Sequence, residues 1–421
     1  MSVFKHRLGH PPEVVRSWRT RARAALRAGA HSPFYVFAAN PLVQRLADFE
    51  GLPQHCPWRW WLSAKTQPLP ALWRWWRSRG GIEVVSEFEF RGAVAAGYGA
   101  DQILVNGPAK QRWLPAFDLP NGRVNFDSPR EMAALLTQAR QQRWRVGLRV
   151  RTPGEVDAEH PEWSNQFGFE PDEIAPALRQ LARQGLVAET VHFHLRTNLP
   201  DAQILESALN SVVVLCRQTG WAPRYLDVGG GLPPAHTADH GGNRFDRRFS
   251  RAAYARALNR AARALPSVEE VWLEHGRSVS AGAGVLVVQV LDVKERQGRR
   301  LLICDGGRTL NALVSVWEEH ELLVLEPRRG RRVPTAVHGP TCMAFDCLGR
   351  RLLPASVRPG DHLLWFEAGA YHLPWETRFS HGLAEVWWDD ESGLQRVRAA
   401  ETFERFASAW EDPGPKAERK R

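Results

Sequence analysis

The sequence predicts an α/β protein: a (β/α)8 barrel followed by an all-β domain. Three observations carry this. Between residues 33 and 285, short apolar runs alternate with longer segments of helical period, and roughly 250 residues of such alternation is the size of a (β/α)8 barrel. Beyond residue 285 the helical period fades, and β-type runs separated by Gly and Pro turns take over. The chain has 421 residues, 43% hydrophobic and 24% charged, which suits a globular protein of more than one domain.

The elements follow in order. Pro11 and Pro12 open a helical stretch over 13–28, which Gly29 stops. Phe34, Tyr35, Val36 and Phe37 read as a strand and are taken as the start of the barrel. Strand-like runs recur at 58–63, 82–85, 103–105, 146–150, 190–195, 225–228 and 271–273, and residues 170–184 and 201–219 carry the helical period. The later β-type runs lie at 284–293, 301–304, 322–325, 362–366 and 384–388. This assigns 33–285 to the barrel, 1–32 and 286–402 to the β domain, and 403–421 to a tail whose polar, basic end predicts disorder.

Composition excludes several classes of function. No apolar run approaches the roughly 18 residues that a membrane helix needs. The first 15 residues carry a charge and two prolines where a signal peptide needs its apolar segment. A soluble, cytoplasmic protein is therefore expected, with no membrane partner. The five cysteines, at 56, 216, 304, 342 and 347, are odd in number and irregularly spaced, so neither a disulfide framework nor a metal site is predicted. The net charge of +10 comes from arginines scattered along the whole chain, and no nucleic-acid partner is expected. Only six of the 56 basic residues are lysines. Where arginine is the default cation, a lysine inside the fold points to amine chemistry, such as Schiff-base formation.

Five segments carry residues suited to chemistry. Lys65 closes the run at 58–63 and precedes a turn with two prolines, where a barrel keeps its active-site residues. His192 and His194 alternate on one strand and so share a face; Arg196, Thr197 and Asn198 follow. The strand ending at Val228 runs straight into Gly229, Gly230 and Gly231, whose backbone N–H groups can cradle a phosphate. Glu274 ends another strand, and Arg277 lies three residues on. Near the C-terminus, Cys342, Asp346, Gly369 and Tyr371 stand out. Taken singly, each has a plain structural reading: a solvated lysine, a core histidine, a tight turn, a surface ion pair, a buried thiol.

In this order the motifs resemble those of the fold-type III pyridoxal-phosphate decarboxylases, the family of ornithine, arginine and diaminopimelate decarboxylases. The resemblance runs from about Pro33 to Thr402. It implies an alanine racemase-like barrel with a Greek-key-like β domain, pyridoxal 5'-phosphate as cofactor, an amino acid as substrate, and a homodimer with shared active sites. Lys65 matches the lysine that bonds to the cofactor. His194 matches the imidazole stacked on its ring, and Glu274 the carboxylate facing its pyridine nitrogen. Gly229, Gly230, Gly231, Arg277 and Tyr371 match the phosphate-binding group, with Thr197 where the family has serine. Glu83 matches an acidic residue that pairs with a barrel arginine, here Arg149. Cys342 matches the cysteine that the partner subunit contributes to return a proton to the product carbon. Asp305 matches a polar position near the substrate. A carboxylate at Glu274 favours decarboxylation over racemisation, because racemases of this fold set an arginine there. The presence of Lys65, Glu274 and Cys342 argues against a non-catalytic relative.

Two departures bear on the substrate. Arg196 stands where the family has glycine. Met343 stands where ornithine and diaminopimelate enzymes have an acidic residue for the distal amine, and an ammonium group is costly to bury without a partner. These, with the aromatic stretch from His372 to Phe379, predict a conjugated or acidic amino acid, as in the relatives of siderophore and natural-product pathways, although Asp346 remains available to a distal amine. The alternative is a free diamino acid.

Overall fold

The computed structural model describes residues 3–4, 8–155 and 166–411; residues 412–421 of the predicted tail lie outside them. In chain order the elements begin with β1 (Val3–Phe4), α1 (Pro12–Arg27), β2 (Phe34–Ala38) and α2 (Ala39–Glu50). There follow β3 (Trp58–Ser63), α3 (Pro70–Trp76), β4 (Gly81–Val84), α4 (Glu87–Ala95), β5 (Ile103–Val105), β6 (Arg123–Phe126), α5 (Pro129–Gln141), β7 (Arg145–Arg149), α6 (Pro171–Arg183), β8 (Ala188–His192), α7 (Ala202–Thr219), β9 (Tyr225–Asp227), α8 (Arg251–Ala264), β10 (Glu270–Leu273) and α9 (Arg277–Ser280). The remainder is β11 (Gly284–Arg296), β12 (Arg299–Cys304), α10 (Ala312–Val316), β13 (Leu322–Val324), β14 (Arg332–His338), β15 (Cys347–Pro354), β16 (His362–Trp365), β17 (Glu385–Asp390), β18 (Gly393–Arg398) and α11 (Phe403–Ser408).

These elements form two compact units. One comprises Pro41–Ala235 and Phe245–Ala281, the other Met1–Asn40, His236–Arg244 and Gly282–Arg421.

In the first unit, β3 to β10 close into an eight-stranded parallel barrel, with β10 pairing β3. The predicted α/β barrel is therefore present. Two of its helices start on short polar caps that also mark them in the sequence: Ser128 accepts from the Glu131 N–H at α5, and Asp201 caps α7, which ends on Gly220 at φ +66°. The strand β6 has no counterpart among the apolar runs of the sequence, because Arg123 and Asn125 interrupt it. Arg123 is nonetheless buried, with its guanidinium 5.0 Å from the Trp272 ring and 5.4 Å from that of Tyr225. Cation–π contact with a buried aromatic cluster replaces the apolar side chain expected there.

The second unit is a ten-stranded mixed sheet, with the order β1-β15-β14-β12-β11-β2-β17-β18 and with β16 joining β11 to β13. The long strand β11 pairs with β2 and β16 through its first half and with β12 through its second, shifting register between Val290 and Asp292. The expected boundary at residue 33 is corrected here. The strand β2 belongs to the sheet, antiparallel to β11 and parallel to β17, and all five of its residues are buried. Apolar content alone does not say which sheet a strand joins; hydrogen-bond partners remote in sequence decide that. The tail also begins later than expected, because α11 follows a cap in which Thr402 accepts from the Arg405 N–H.

A charged cluster ties the N-terminal segment into this unit. His10 Nδ1 lies 2.7 Å from Glu321 Oε2, and its Nε2 lies 3.0 Å from Glu367 Oε1. Burial by itself lowers the imidazole pKa, but the two carboxylates outweigh burial and hold it up at about 9, against 6.5 when exposed. A raised pKa means that the stabilisation is complete below pH 6.5 and is lost as pH rises through 9. We expect thermal stability to fall between pH 7 and 10 by up to roughly 3 kcal/mol through this group. His10→Gln flattens that fall in a melting series, and parallel curves for the two proteins would exclude the cluster as its cause.

Candidate active site

The barrel brings Lys65, His194, Gly229–Gly231 and Glu274 to one end, just beyond the C-terminal ends of its strands. Lys65 follows β3 by two residues. The register of β3 on β4 sets Ser63 beside Glu83. Lys65 Nζ donates to Ser63 Oγ at 2.7 Å and to Glu83 Oε2 at 2.8 Å, and Ser63 Oγ donates to the same carboxylate at 2.5 Å. Glu83 is buried, whereas the lysine side chain is 37% exposed, so the amine is aimed yet accessible. The expected Glu83–Arg149 pair is corrected. Arg149 Nη1 instead faces Asp127 Oδ1 at 3.6 Å. Strand neighbours explain this: β4 adjoins β3, which carries Ser63 and leads to Lys65, while two strands separate it from β7.

The ends of β8, β9 and β10 continue the arc. Gly229 has φ +63°, and a Cβ there would lie 2.6 Å from His194 Nδ1 and 2.8 Å from the Phe193 carbonyl. A Cβ on Gly230 would meet the Glu274 carbonyl at 2.6 Å. Gly276 touches Thr66 and lies close to Ser63. The glycines therefore pack the loops edge to edge, from His194 through the Gly229–Gly231 turn and Glu274 to the Lys65 loop. The Gly230 N–H donates to His194 Nδ1 at 3.2 Å, and His194 Nδ1 lies 3.7 Å from Glu274 Oε2.

Sequence reasoning missed the layer behind Glu274. Asn106 Nδ2 donates to Glu274 Oε1. Asn125 Nδ2 donates to Asn106 Oδ1 at 3.0 Å and to Asp227 Oδ2 at 3.2 Å. His192 Nδ1 lies 3.2 Å from Asp227 Oδ2. Burial pushes the His192 pKa down to about 3 and that of Asp227 up to about 7. The alternation of His192 and His194 was a signal of this layer in the sequence, although β8 ends at His192 and His194 lies beyond it.

The remaining predicted residues are placed as follows. Arg196 is half-buried and Thr197 exposed, just after β8. Cys342 is an exposed free thiol in the loop between β14 and β15, with Met343 half-buried beside it. Asp346 is not available to a substrate as expected. Its Oδ1 accepts from the Arg308 N–H at 2.7 Å, and its Oδ2 accepts from Thr341 Oγ1 at 2.6 Å and the Thr341 N–H at 3.1 Å, which shapes the loop. Asp305 similarly accepts from the Gln289 N–H at 2.7 Å. Tyr371 is half-buried at φ +62°.

The donor set of the barrel suits pyridoxal phosphate. It combines an accessible amine, a buried carboxylate, a half-buried imidazole, a glycine turn and Arg277. The buried hydroxyls of Thr66 and Ser278 lack hydrogen-bond partners beside it. A barrel with this set at its strand ends defines a pyridoxal-phosphate enzyme acting on amines. Residues 58–281 match the family described as pyridoxal-dependent decarboxylase, pyridoxal binding domain, and the chain belongs to it. It is a pyridoxal-phosphate-dependent amino-acid decarboxylase. The diaminopimelate decarboxylase of Haemophilus influenzae is 28% identical over 385 residues, covering 87% of this chain and 91% of that protein. That of Actinosynnema pretiosum is 29% identical over 384 residues, covering 87% and 80%. The crystal structure of diaminopimelate decarboxylase from Helicobacter pylori complexed with L-lysine shares the fold, at TM-score 0.77 and 21% identity over 91% of this chain and 98% of that one. Among the described residues, no helix is long and apolar enough to cross a membrane.

Proposed function

We propose that this chain removes one α-carboxylate from a free diamino acid of the diaminopimelate kind. The observation that carries the chemistry is the strand-end set of Lys65, Glu83, His194 and Glu274. The substrate class rests on relatives of that name that align along most of the chain. Bound pyridoxal phosphate supplies the electron sink for the pair left at the α-carbon when carbon dioxide departs. Ser63 and Glu83 orient the Lys65 amine for exchange with the substrate amine. The Gly229–Gly231 turn, Arg277 and Thr197 would hold the phosphate. His194 would cover the ring face, and Glu274 would keep a proton on the ring nitrogen. The Cys342 thiol of a second copy returns a proton to the α-carbon.

The expected conjugated or acidic substrate becomes the second reading. It rests on Met343 and on the engagement of Asp346, which leave the 339–347 loop without a free carboxylate for a distal ammonium. Carbon dioxide release and product mass decide between the two, on a panel of diaminopimelate, ornithine, lysine and arginine beside citryl- and acyl-conjugated amino acids. Turnover of diaminopimelate or another free diamino acid supports the proposal; turnover of conjugates alone replaces it with the second reading. Mixing inactive Lys65→Ala and Cys342→Ala proteins tests the shared site. Random exchange between symmetric dimers restores up to about a quarter of the activity, and no restoration among subunits shown to exchange removes Cys342 from the partner's site.

A further inference from the structure

Glu274, just past β10, is backed by a layer of polar groups from four other strands or strand ends. Asp227 is the last residue of β9, His192 the last of β8, Asn125 lies on β6, and Asn106 just follows β5. All are buried, Asp227 completely. Asp227 Oδ1 accepts from the Gly229 N–H at 3.1 Å, its Oδ2 accepts from Asn125 Nδ2 at 3.2 Å, and carboxyl oxygens of Asp227 and Glu274 lie within 4.8 Å of one another. His192 Nδ1 points between the two carboxyl groups, 3.2 Å from Asp227 and 3.7 Å from Glu274, without a hydrogen bond of its own. The layer is built for this. Gly147 on β7 leaves the space that Asn125 fills, since a Cβ there would collide with Asn125 Oδ1.

The inventory of donors decides what the layer holds. Two carboxyl groups this close in a buried layer are not both ionised, and an ionised carboxylate only accepts, so the pair shares one proton. His192 is neutral because burial drives its pKa down. The atoms of His192, Asp227 and Glu274 lie within 4.8 Å of one another. Amide N–H groups from Asn106, Asn125 and Gly229 already aim at the carboxyl oxygens, which suits a proton-sharing pair rather than a cation. The charged and titratable groups acting on the layer from its surroundings are Glu83, Arg149, His194 and Tyr254.

We propose that Asp227, steadied by His192, is a positioning residue for the decarboxylation: it donates its proton to Glu274 from inside the barrel. A hydrogen bond received from behind makes the Glu274 carboxylate a weaker base. The proton on the cofactor's ring nitrogen then stays on nitrogen instead of passing to Glu274, and the ring keeps its capacity to accept electrons. This rests on the proposed role of Glu274 towards the ring nitrogen. His192 lies within reach of both carboxyl groups and keeps the shared proton localised.

The test compares Asp227→Asn and Asp227→Ala in the enzyme reconstituted with pyridoxal phosphate. Asparagine keeps an N–H donor towards Glu274 but cannot ionise; alanine removes the donor. The readouts are the visible absorption of the bound cofactor from pH 5 to 10, cofactor affinity by fluorescence, and kcat and KM. For Asp227→Ala we expect a fall in kcat of at least tenfold with KM within about twofold. Its absorption transition moves by one pH unit or more. Asparagine restores most of the kcat and removes the part of the pH profile that follows Asp227 ionisation. A wild-type pH profile in Asp227→Asn overturns the proposal, and this variant decides the matter alone if Asp227→Ala does not fold. Glu274→Gln is the control. If it leaves the cofactor spectrum unchanged, the role of Glu274 fails; if it changes the spectrum and Asp227→Asn does not, only the present inference fails.

Discussion

Replacing Lys65 with alanine is expected to lower decarboxylation by roughly 10³-fold or more, because positioned acid–base and covalent groups commonly contribute 10²–10⁴ each. The expectation is drawn from geometry as well as motif. The amine is held at 2.7 Å by Ser63 and at 2.8 Å by the buried Glu83, so its direction does not depend on a flexible side chain finding its place. Without it, Glu83 keeps a hydroxyl donor but loses its cation. A buried carboxylate deprived of its partner is destabilising, and a modest loss of thermal stability should accompany the loss of activity. Borohydride treatment followed by mass spectrometry provides the direct check. The wild-type protein retains cofactor mass on the peptide carrying Lys65, and the variant does not. Activity within tenfold of wild type would take Lys65 out of the site.

Glu274→Ala is expected to lower kcat by about 10²-fold or more with a smaller change in KM, since in the proposed role its charge would act on the ring nitrogen, mainly at the step in which electrons move into the ring. The structure adds a second effect. Removing the carboxylate strands the Asn106 donor in a buried layer, at roughly 1–3 kcal/mol for an unsatisfied group. Glu274→Gln retains an acceptor and should recover stability without recovering the rate. Parallel melting curves and kinetics on the two variants separate these effects. Equal kcat for Glu274→Gln and wild type would show that the charge plays no part.

Much of the site was legible because its pieces are local. Lys65, the three glycines and Glu274 each stand at the junction of an apolar strand and a loop, and the barrel places every such junction at the same end. The change of texture at residue 285 is equally local, but the sheet unit runs from Gly282 and also takes in residues up to Asn40 and the segment His236–Arg244, which no local pattern marks. The less legible features depend on partners distant in sequence. Arg123 looks like a break in a strand until Trp61, Tyr225 and Trp272 are packed around it. Asp346 looks like a free carboxylate until the backbone of residue 308 comes within hydrogen-bond distance.

The sequence by itself determined the alternating strands and helices, the residues at the strand ends and, through their order, the chemistry of the cofactor. Tertiary structure decided which sheet claims Phe34–Ala38, which partner Glu83 takes and what stands behind Glu274. The reason is physical. Periodicity and turn chemistry act over a few residues and leave their pattern in the chain. Strand register and the closure of a barrel bring together groups more than a hundred residues apart, such as Asn125 and Asp227, and no local pattern encodes that meeting.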